Sequence, residues 1–133
     1  LALVKELATK AMVLLHPDDP ILEAQEKLLN QKLPGSPVID EDGCAVGFLS
    51  ERDCLVRVMK MKYHNDMSIC VKDFMSPHCA TIEEEDSVMS AIKSFSDNSY
   101  HILPVVGNKN KVVSILTRQS VFRYVVSLKQ QTW

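Results

Sequence analysis

The sequence predicts an α+β protein made of two tandem β-α-β-β-α repeats. The chain aligns with itself without a gap at an offset of 67 residues, which places Val4 on Val71 and Pro37 on Pro104. Within each copy the apolar residues also change their period in the same order. We therefore expect repeat 1 in residues 1–60, a linker in residues 61–70 and repeat 2 in residues 71–133.

Each repeat begins with a short apolar run that predicts a strand, at residues 12–15 and 79–82. In repeat 1, Asp19 is the expected N-cap of the following helix and Pro20 its first residue. The helix is amphipathic in both copies, because apolar residues recur at helical spacing. These residues are Ile21, Ala24, Leu28 and Leu29 in repeat 1, and Val88, Ala91, Ile92 and Phe95 in repeat 2.

A β-hairpin and a closing helix complete each repeat. Buried strands start at residues 38–39 and 105–106, and the turn-rich segments 40–43 and 107–110 return the chain. A second amphipathic helix follows each returning strand. A unit of about 55 residues has too little core to be stable by itself, so we expect the two copies to pack sheet against sheet.

Composition excludes several classes of protein. A length of 133 residues, with 46% hydrophobic and 24% charged residues, is typical of soluble globular proteins. A formal net charge of -2, without a basic patch, argues against a nucleic-acid or anionic-membrane binder. No apolar run is long enough for a bilayer span and the start lacks a signal-peptide pattern, so we expect a cytoplasmic protein. The four cysteines show no C-x-x-C spacing, which favours reduced thiols over a zinc or redox pair.

The most informative stretch is residues 47–53 (GFLSERD), where an apolar strand end meets a helix start. Ser50 offers a hydroxyl there, and Asp53 offers a carboxylate that can accept two hydrogen bonds from vicinal sugar hydroxyls. The helix N-terminus beside them favours an anion such as a phosphate. The alternative is structural, because a serine before a helix commonly serves only as its N-cap.

Together, these features resemble a pair of CBS (cystathionine β-synthase) domains, also called a Bateman module. The resemblance rests on the tandem repeats, the lead-in V-x-D-F-M-S at residues 71–76, the apolar-Pro-Val strands and the G-x-x-S-x-x-D corner at residues 47–53. It implies a disc-like pair of repeats related by a pseudo-twofold axis, with two clefts for adenosyl ligands such as AMP, ADP, ATP or S-adenosylmethionine. It also implies regulation and not catalysis, with no metal required.

In the resemblance, the hydroxyl and carboxylate of the corner bind phosphate and ribose, and the other repeat holds the base. The implied nucleotide-binding residues are Ser50, Arg52, Asp53, Thr81, Tyr100, His101, Ile102 and Leu103. Two of these residues keep alternatives open. Arg52 either meets a phosphate or is a solvated or dimer-interface side chain. His101 either touches the ligand or is part of the cleft wall.

The second corner departs from the motif. Thr117 keeps the hydroxyl of Ser50, but Ser120 stands where Asp53 stands in repeat 1. Losing charge-assisted contacts to a sugar diol costs about 1.5–3 kcal/mol, or roughly ten- to a hundredfold in affinity. The weak second site would consist of Leu14, Leu33, Pro34, Gly35, Thr117 and Ser120. We therefore expect one good site per chain, at Ser50 and Asp53.

Two functions remain open at this point. One is a regulatory module that binds an adenosyl ligand and signals to an unidentified protein target through a change in packing. The resemblance implies a homodimer formed by the apolar faces of the helices that begin near Asp53 and Ser120. The other is a ligand-free structural or protein-interaction module, or the regulatory fragment of a larger enzyme or transporter. Neither function requires a catalytic residue.

Overall fold

The computed structural model describes residues 1–61 and 69–132. The expected linker, residues 61–70, therefore lies mostly outside the described residues. In chain order the helices and strands are α1 (Val4–Leu7), α2 (Ile21–Gln31), β1 (Gly35–Ile39), β2 (Ala45–Ser50), α3 (Glu51–Met61), β3 (Ile82–Glu83), α4 (Val88–Asp97), β4 (Ile102–Val106), β5 (Val112–Thr117) and α5 (Arg118–Thr132). The α+β class and the two repeats are confirmed.

Two compact units make up the chain. The repeat-1 unit is Met12–Cys79, and the repeat-2 unit combines Leu1–Ala11 with Ala80–Trp133. The residue ranges of these spatial units therefore differ from those of the sequence repeats, because each unit contains the lead-in of the other repeat. We call residues 4–9 the first lead-in and residues 71–76 the second lead-in.

The second lead-in is bound to the repeat-1 unit by backbone hydrogen bonds. The N–H of Val71 donates to the carbonyl of Asp19 at 2.9 Å, and Phe48 and Ser76 exchange two bonds of 3.0 and 2.8 Å. The first lead-in makes the equivalent bonds in the repeat-2 unit. Each residue in these bonds is offset by 67 positions from its counterpart in the bonds of the second lead-in. They join Val4 to Asp86 at 2.8 Å, and Thr9 to Ile115 at 2.9 and 3.0 Å. The internal repeat therefore extends to tertiary contacts.

Both predicted hairpins are present. Strands β1 and β2 pair antiparallel from Gly35–Ser50 to Ile39–Ala45, and β4 and β5 pair from Ile102–Thr117 to Val106–Val112. Each hairpin has a register irregularity at the equivalent place, before Ile39 and before Val106. Equivalent sequence patterns thus produce equivalent hairpins, although the first sheet has two strands and the second, which includes β3, has three.

The initial strands are shorter than predicted. Residues 12–15 form no strand, and only Leu15 makes an isolated parallel bridge, to Val38. In repeat 2 the strand is confined to β3, which pairs parallel with β4. The carbonyl of Val13 accepts a hydrogen bond from the hydroxyl of buried Ser36 instead of joining a ladder. A side chain thus satisfies a backbone group that a longer strand would have paired.

The predicted cap of α2 was also wrong. Its N-cap is Pro20, without a side-chain cap bond. The Asp19 carboxylate accepts instead from the N–H of His16 at 2.9 Å, which closes the preceding turn. The Asp86 carboxylate makes the equivalent bond with Glu83 at 3.1 Å. Both aspartates stabilise the turn before a helix and not the helix end itself.

Each unit has its own hydrophobic core. The repeat-1 core consists of Val13, Leu15, Ile21, Ala24, Leu28, Val38, Leu49, Cys54, Val71 and Phe74. The repeat-2 core consists of Val4, Ile82, Val88, Ala91, Phe95, Leu103, Val105, Leu116 and Val121. Val71 and Val4 are fully buried, so each lead-in contributes an anchor to the core of the unit that it joins.

Candidate functional site at the strand-to-helix corners

The first corner lies where β2 ends at Ser50 and α3 begins at Glu51. The N–H of Asp53 donates to the Ser50 hydroxyl oxygen at 3.0 Å, which is an N-cap bond. This bond uses the oxygen as an acceptor and leaves the hydroxyl hydrogen free to donate to a ligand oxygen. The structural role of Ser50 is therefore present and is compatible with binding.

Asp53 and Arg52 occupy the first turn of α3 in different surroundings. Asp53 is half-buried, whereas Arg52 is exposed. A half-buried carboxylate close to a capping hydroxyl can accept hydrogen bonds from two neighbouring hydroxyl groups. An exposed guanidinium has the freedom to approach a phosphate.

Gly47 is required by packing against the second lead-in. A Cβ atom at this position would lie 2.6 Å from the Met75 sulfur and 2.7 Å from the Ser76 carbonyl oxygen. The motif glycine therefore allows the lead-in backbone to cross β2 three residues before Ser50. In repeat 2 the equivalent residue is buried Ser114, and the residue equivalent to Met75 is the smaller Ala8.

The segment before β1 adjoins the first corner within the repeat-1 unit. The N–H of Glu51 donates to the carbonyl of Pro34 at 2.9 Å, and Gly35 pairs with Ser50. Leu33 is half-buried, whereas Pro34 and Leu14 are exposed. The sequence analysis assigned these residues to the weak second site, opposite Thr117 and Ser120, and that assignment stays a prediction.

The second corner has the same backbone geometry with different side chains. The N–H of Ser120 donates to the Thr117 hydroxyl oxygen at 3.1 Å, as in repeat 1. The two hydroxyl oxygens are also 2.8 Å apart and hydrogen-bonded to each other. Because the two hydroxyl groups bond to each other, they have fewer hydrogen-bonding positions left for a ligand than a carboxylate at position 120 would offer.

His101 is hydrogen-bonded to Arg118, the residue that follows Thr117 in the second corner. The N–H of Arg118 donates to the His101 carbonyl at 2.9 Å, and an Arg118 guanidinium nitrogen lies 3.1 Å from His101 Nδ1. Since arginine only donates, Nδ1 is the acceptor in this bond. Sequence patterns give no signal for this pairing, because it depends on side-chain rotamers.

The remaining predicted base-side residues differ in accessibility. Thr81, Tyr100 and His101 are exposed. Ile102 is buried, and Leu103 is fully buried in the repeat-2 core. The Leu103 side chain is therefore not accessible to a ligand. The structure brings Ser50, Arg52 and Asp53 together in one unit, and Thr81 and residues 100–103 lie in the other.

A groove between α2 and α3 was not anticipated. Its volume is about 490 Å³, within the range of small-ligand and anchor pockets. It is lined by Gln25, Leu28, Leu29, Lys32, Leu33, Glu51, Cys54 and Leu55. The helical spacing predicted Leu29 on the buried stripe of α2, and this was wrong: Leu29 is 75% exposed and lines the groove together with exposed Leu55.

Two of the cysteine thiols have a raised pKa. Burial raises the pKa of the Cys79 thiol to about 11 and is also the main cause of the raised pKa of Cys54, so both favour the neutral thiol. Within residues 1–61 and 69–132, no cluster of three His, Cys, Asp or Glu side chains could hold a metal ion. In the same part of the chain, no helix is long and apolar enough to cross a membrane.

Two known proteins are similar in sequence to this chain over at least 90% of its length. CBSX1 of Arabidopsis thaliana, a chloroplastic CBS domain-containing protein, is 28% identical over 155 residues, covering 96% of this chain and 65% of CBSX1. The protein MK0525 of Methanopyrus kandleri is 25% identical over 120 residues, covering 90% of this chain and 61% of MK0525. The chain therefore spans less than two thirds of the length of either relative.

Solved structures share the fold over nearly the whole chain. The structure of CBSX2 in complex with AMP matches with a TM-score of 0.83 and 26% identity, covering 97% of this chain and 99% of that one. The CBS domain pair of protein MJ0100, in complex with 5'-methylthioadenosine and S-adenosyl-L-methionine, matches with a TM-score of 0.77 and 25% identity, covering 93% and 99%. The CBS domain model itself matches residues 4–60 and 71–127. The chain belongs to the CBS domain family and contains two tandem copies of that domain.

Proposed function

We propose that this chain is a regulatory module that binds an adenosyl ligand at the Ser50–Asp53 corner. The observation that carries the proposal is the combination of a capping hydroxyl and a half-buried carboxylate at the start of α3, in a chain of the CBS domain family. The similar structures of CBSX2 with AMP and of MJ0100 with S-adenosyl-L-methionine support an adenosyl ligand. AMP, ADP, ATP and S-adenosylmethionine are the candidates.

Each group in the corner has a chemical role in this proposal. The Ser50 hydroxyl and the N-terminus of α3 favour a phosphate or another anionic group, and Arg52 is free to approach it. The Asp53 carboxylate accepts hydrogen bonds from the ribose 2'- and 3'-hydroxyls. Thr81, Tyr100 and His101 form the base side, next to Ile102 and Leu103. No metal takes part.

The module signals by a change in packing and not by catalysis. A ligand shifts an equilibrium only by its difference in affinity for two conformations. The second lead-in supplies a physical route, because it pairs with Phe48 only two residues before Ser50. Ligand contacts at Ser50 would stabilise this end of β2 and, with it, the docked lead-in. The output is read by a protein target or by another part of a longer protein.

We also propose a homodimer, since the two helix layers expose apolar side chains at equivalent positions. The three pairs, each 67 residues apart, are Leu22 and Met89, Leu55 and Phe122, and Met59 and Val126. Exposed apolar residues that recur in a structural repeat indicate a covered surface and not scattered exceptions. We call these two surfaces the repeat-1 face and the repeat-2 face.

The direct test is a thermal-shift and calorimetry panel with AMP, ADP, ATP, S-adenosylmethionine and GMP. We expect a saturable response near one adenosyl ligand per chain, and weaker binding by roughly ten- to a hundredfold in Asp53→Ala. Asp42→Ala is the matched control, because Asp42 is an exposed aspartate in the β1–β2 turn. A folded protein that responds to none of these ligands would overturn the proposal and favour the interaction module.

A further inference from the structure

We propose that the groove between α2 and α3 is a binding site for an apolar α-amino acid, such as leucine, methionine or phenylalanine. The apolar side chain of the ligand enters the groove, its carboxylate meets Lys32 and its ammonium group meets Glu51. The groove lies wholly within the repeat-1 unit, and neither Ser50 nor Asp53 is among its lining residues. Amino-acid binding here does not depend on the adenosyl ligand proposed above.

The C-terminal turn of α2 forms one end of the groove. Lys32 caps the helix in the left-handed conformation, with φ 55° and ψ 40°. The N–H of Leu33 then donates to the carbonyl of Leu28 at 3.1 Å, so the chain folds back and Leu33 packs against the repeat-1 core. Both Lys32 and Leu33 line the groove. This turn therefore supplies an ammonium group and an apolar wall at the same end.

The backbone of Lys32 indicates that its side chain has a role. Glycine is the usual residue at a left-handed helix end, because a Cβ atom is disfavoured there. In repeat 2 the equivalent residue is Ser99, and α4 ends instead at Asn98 with an extended backbone, at φ -137°. The left-handed turn is therefore not a requirement of the repeat, and a lysine in it is the costlier choice of residue.

Glu51 lies at the same end of the groove. Its N–H donates to the carbonyl of Pro34 at 2.9 Å, which places the start of α3 next to the residues that follow Lys32. Both charged side chains are exposed, and neither forms an ion pair within residues 1–61 and 69–132. Together they complement a zwitterion whose two charged groups share one carbon atom. Each charge also suits the dipole of its own helix, which is the structural alternative that the variants below test.

The interior of the groove is apolar. Its walls are formed by four leucines, Leu28, Leu29, Leu33 and Leu55. About two turns before Lys32, the Gln25 side chain is hydrogen-bonded to the Cys54 thiol, so these polar groups already have a partner. The volume of about 490 Å³ is in the lower part of the range for small-ligand sites, about 300–1,000 Å³. The groove therefore favours an aliphatic or aromatic side chain over a charged one.

A series of ligands tests the zwitterion. Titration of the full ¹⁵N-labelled chain, followed by NMR, should show saturable shifts in residues 25–33 and 51–55 with leucine, methionine and phenylalanine. Leucinamide lacks the carboxylate and 4-methylpentanoate lacks the ammonium group, so each should bind roughly tenfold or more weakly than leucine. Alanine and lysine should not saturate the site. Binding of 4-methylpentanoate as tight as that of leucine would overturn the role of Glu51 and with it the proposed ligand class.

Lys32→Gly separates binding from folding. Glycine suits the left-handed turn, so the thermal midpoint should be unchanged or raised, while leucine binding weakens by roughly ten- to a hundredfold. Glu51→Gln should weaken binding to a similar degree. Lys27→Gln is the matched control, because Lys27 is an exposed lysine of α2 that does not line the groove. It should bind leucine as the wild type does.

Two results would overturn the proposal. One is a folded wild-type chain that shows no saturable response to leucine, methionine or phenylalanine. The other is equal leucine binding by the wild type, Lys32→Gly and Glu51→Gln, which would leave both charges with only their structural role. Sedimentation at the same concentrations monitors the oligomeric state, because Leu55 also belongs to the repeat-1 face. The nucleotide panel tests the Ser50–Asp53 corner independently.

Discussion

Phe48 and Ser76 exchange two backbone hydrogen bonds, of 3.0 and 2.8 Å, although 28 residues separate them along the chain. Ser76 belongs to the second lead-in, whose continuation along the chain is repeat 2. The equivalent pair, Thr9 and Ile115, connects the first lead-in to the repeat-2 unit. The sequence repeat and the folding unit therefore have different boundaries, because each lead-in completes the core of the other repeat.

We predict that Val71→Ala destabilises the repeat-1 unit. Val71 is fully buried in the core that contains Leu15 and Leu49, so its truncation should cost about 1–3 kcal/mol. Amide hydrogen exchange should accelerate in β1 and β2 more than in β4 and β5. Val4→Ala is the matched control and should show the reverse pattern. Faster exchange confined to the unit that follows each valine in sequence would contradict the exchanged lead-ins.

We predict that Gly47→Ala destabilises the same unit through steric overlap. The added methyl group would meet the Met75 sulfur at 2.6 Å and the Ser76 carbonyl oxygen at 2.7 Å. Overpacking of this kind costs about 1–3 kcal/mol, measurable by urea denaturation. Gly107→Ala is a suitable comparison, because its closest contact, at 2.8 Å, is a carboxylate oxygen of Glu84, which can move. Equal losses in the two variants would argue against a rigid lead-in over Gly47.

We predict that Ser120→Asp improves the second corner. The substitution restores the acceptor that Asp53 supplies in repeat 1 and breaks the 2.8 Å hydroxyl pair between Thr117 and Ser120. Calorimetry with the ligand identified by the panel should show a second site strengthened by roughly ten- to a hundredfold. Ser120→Asn serves as the uncharged control. An unchanged stoichiometry and affinity would mean that the carboxylate alone does not determine which corner binds.

We predict a loss of stability at alkaline pH that depends on Cys79. Burial raises the pKa of its thiol from 9.0 to about 11, so the unfolded chain loses this proton first. The stabilising contribution is fully present below pH 9 and falls as the pH rises towards 11. Denaturation of the wild type and of Cys79→Ala across this interval checks the sign. Parallel stability curves for the two proteins would contradict the prediction.

Local patterns in the sequence were sufficient to predict the hairpins, the amphipathic helices and the corner itself. Their signals lie within a few residues: turn formers between apolar strands, and a hydroxyl followed three residues later by a carboxylate or a hydroxyl. The family resemblance added roles for Ser50 and Asp53 but no contacts. Asp19 was predicted incorrectly because an aspartate just before a helix can either cap the helix or close the preceding turn. The local sequence is the same in both cases, and in the structure Asp19 closes the turn.

By itself, the sequence determined that this protein has two equivalent α+β repeats and that only one corner carries a carboxylate. The tertiary structure alone decided which lead-in completes which core, why residue 47 has no side chain, and that His101 pairs with Arg118. The physical reason is that both lead-ins have the same apolar pattern, so either could dock on either repeat by sequence alone. Chain connectivity and the contacts of the folded units determine which repeat each lead-in packs on. Both are properties of the whole chain and not of the lead-in sequence.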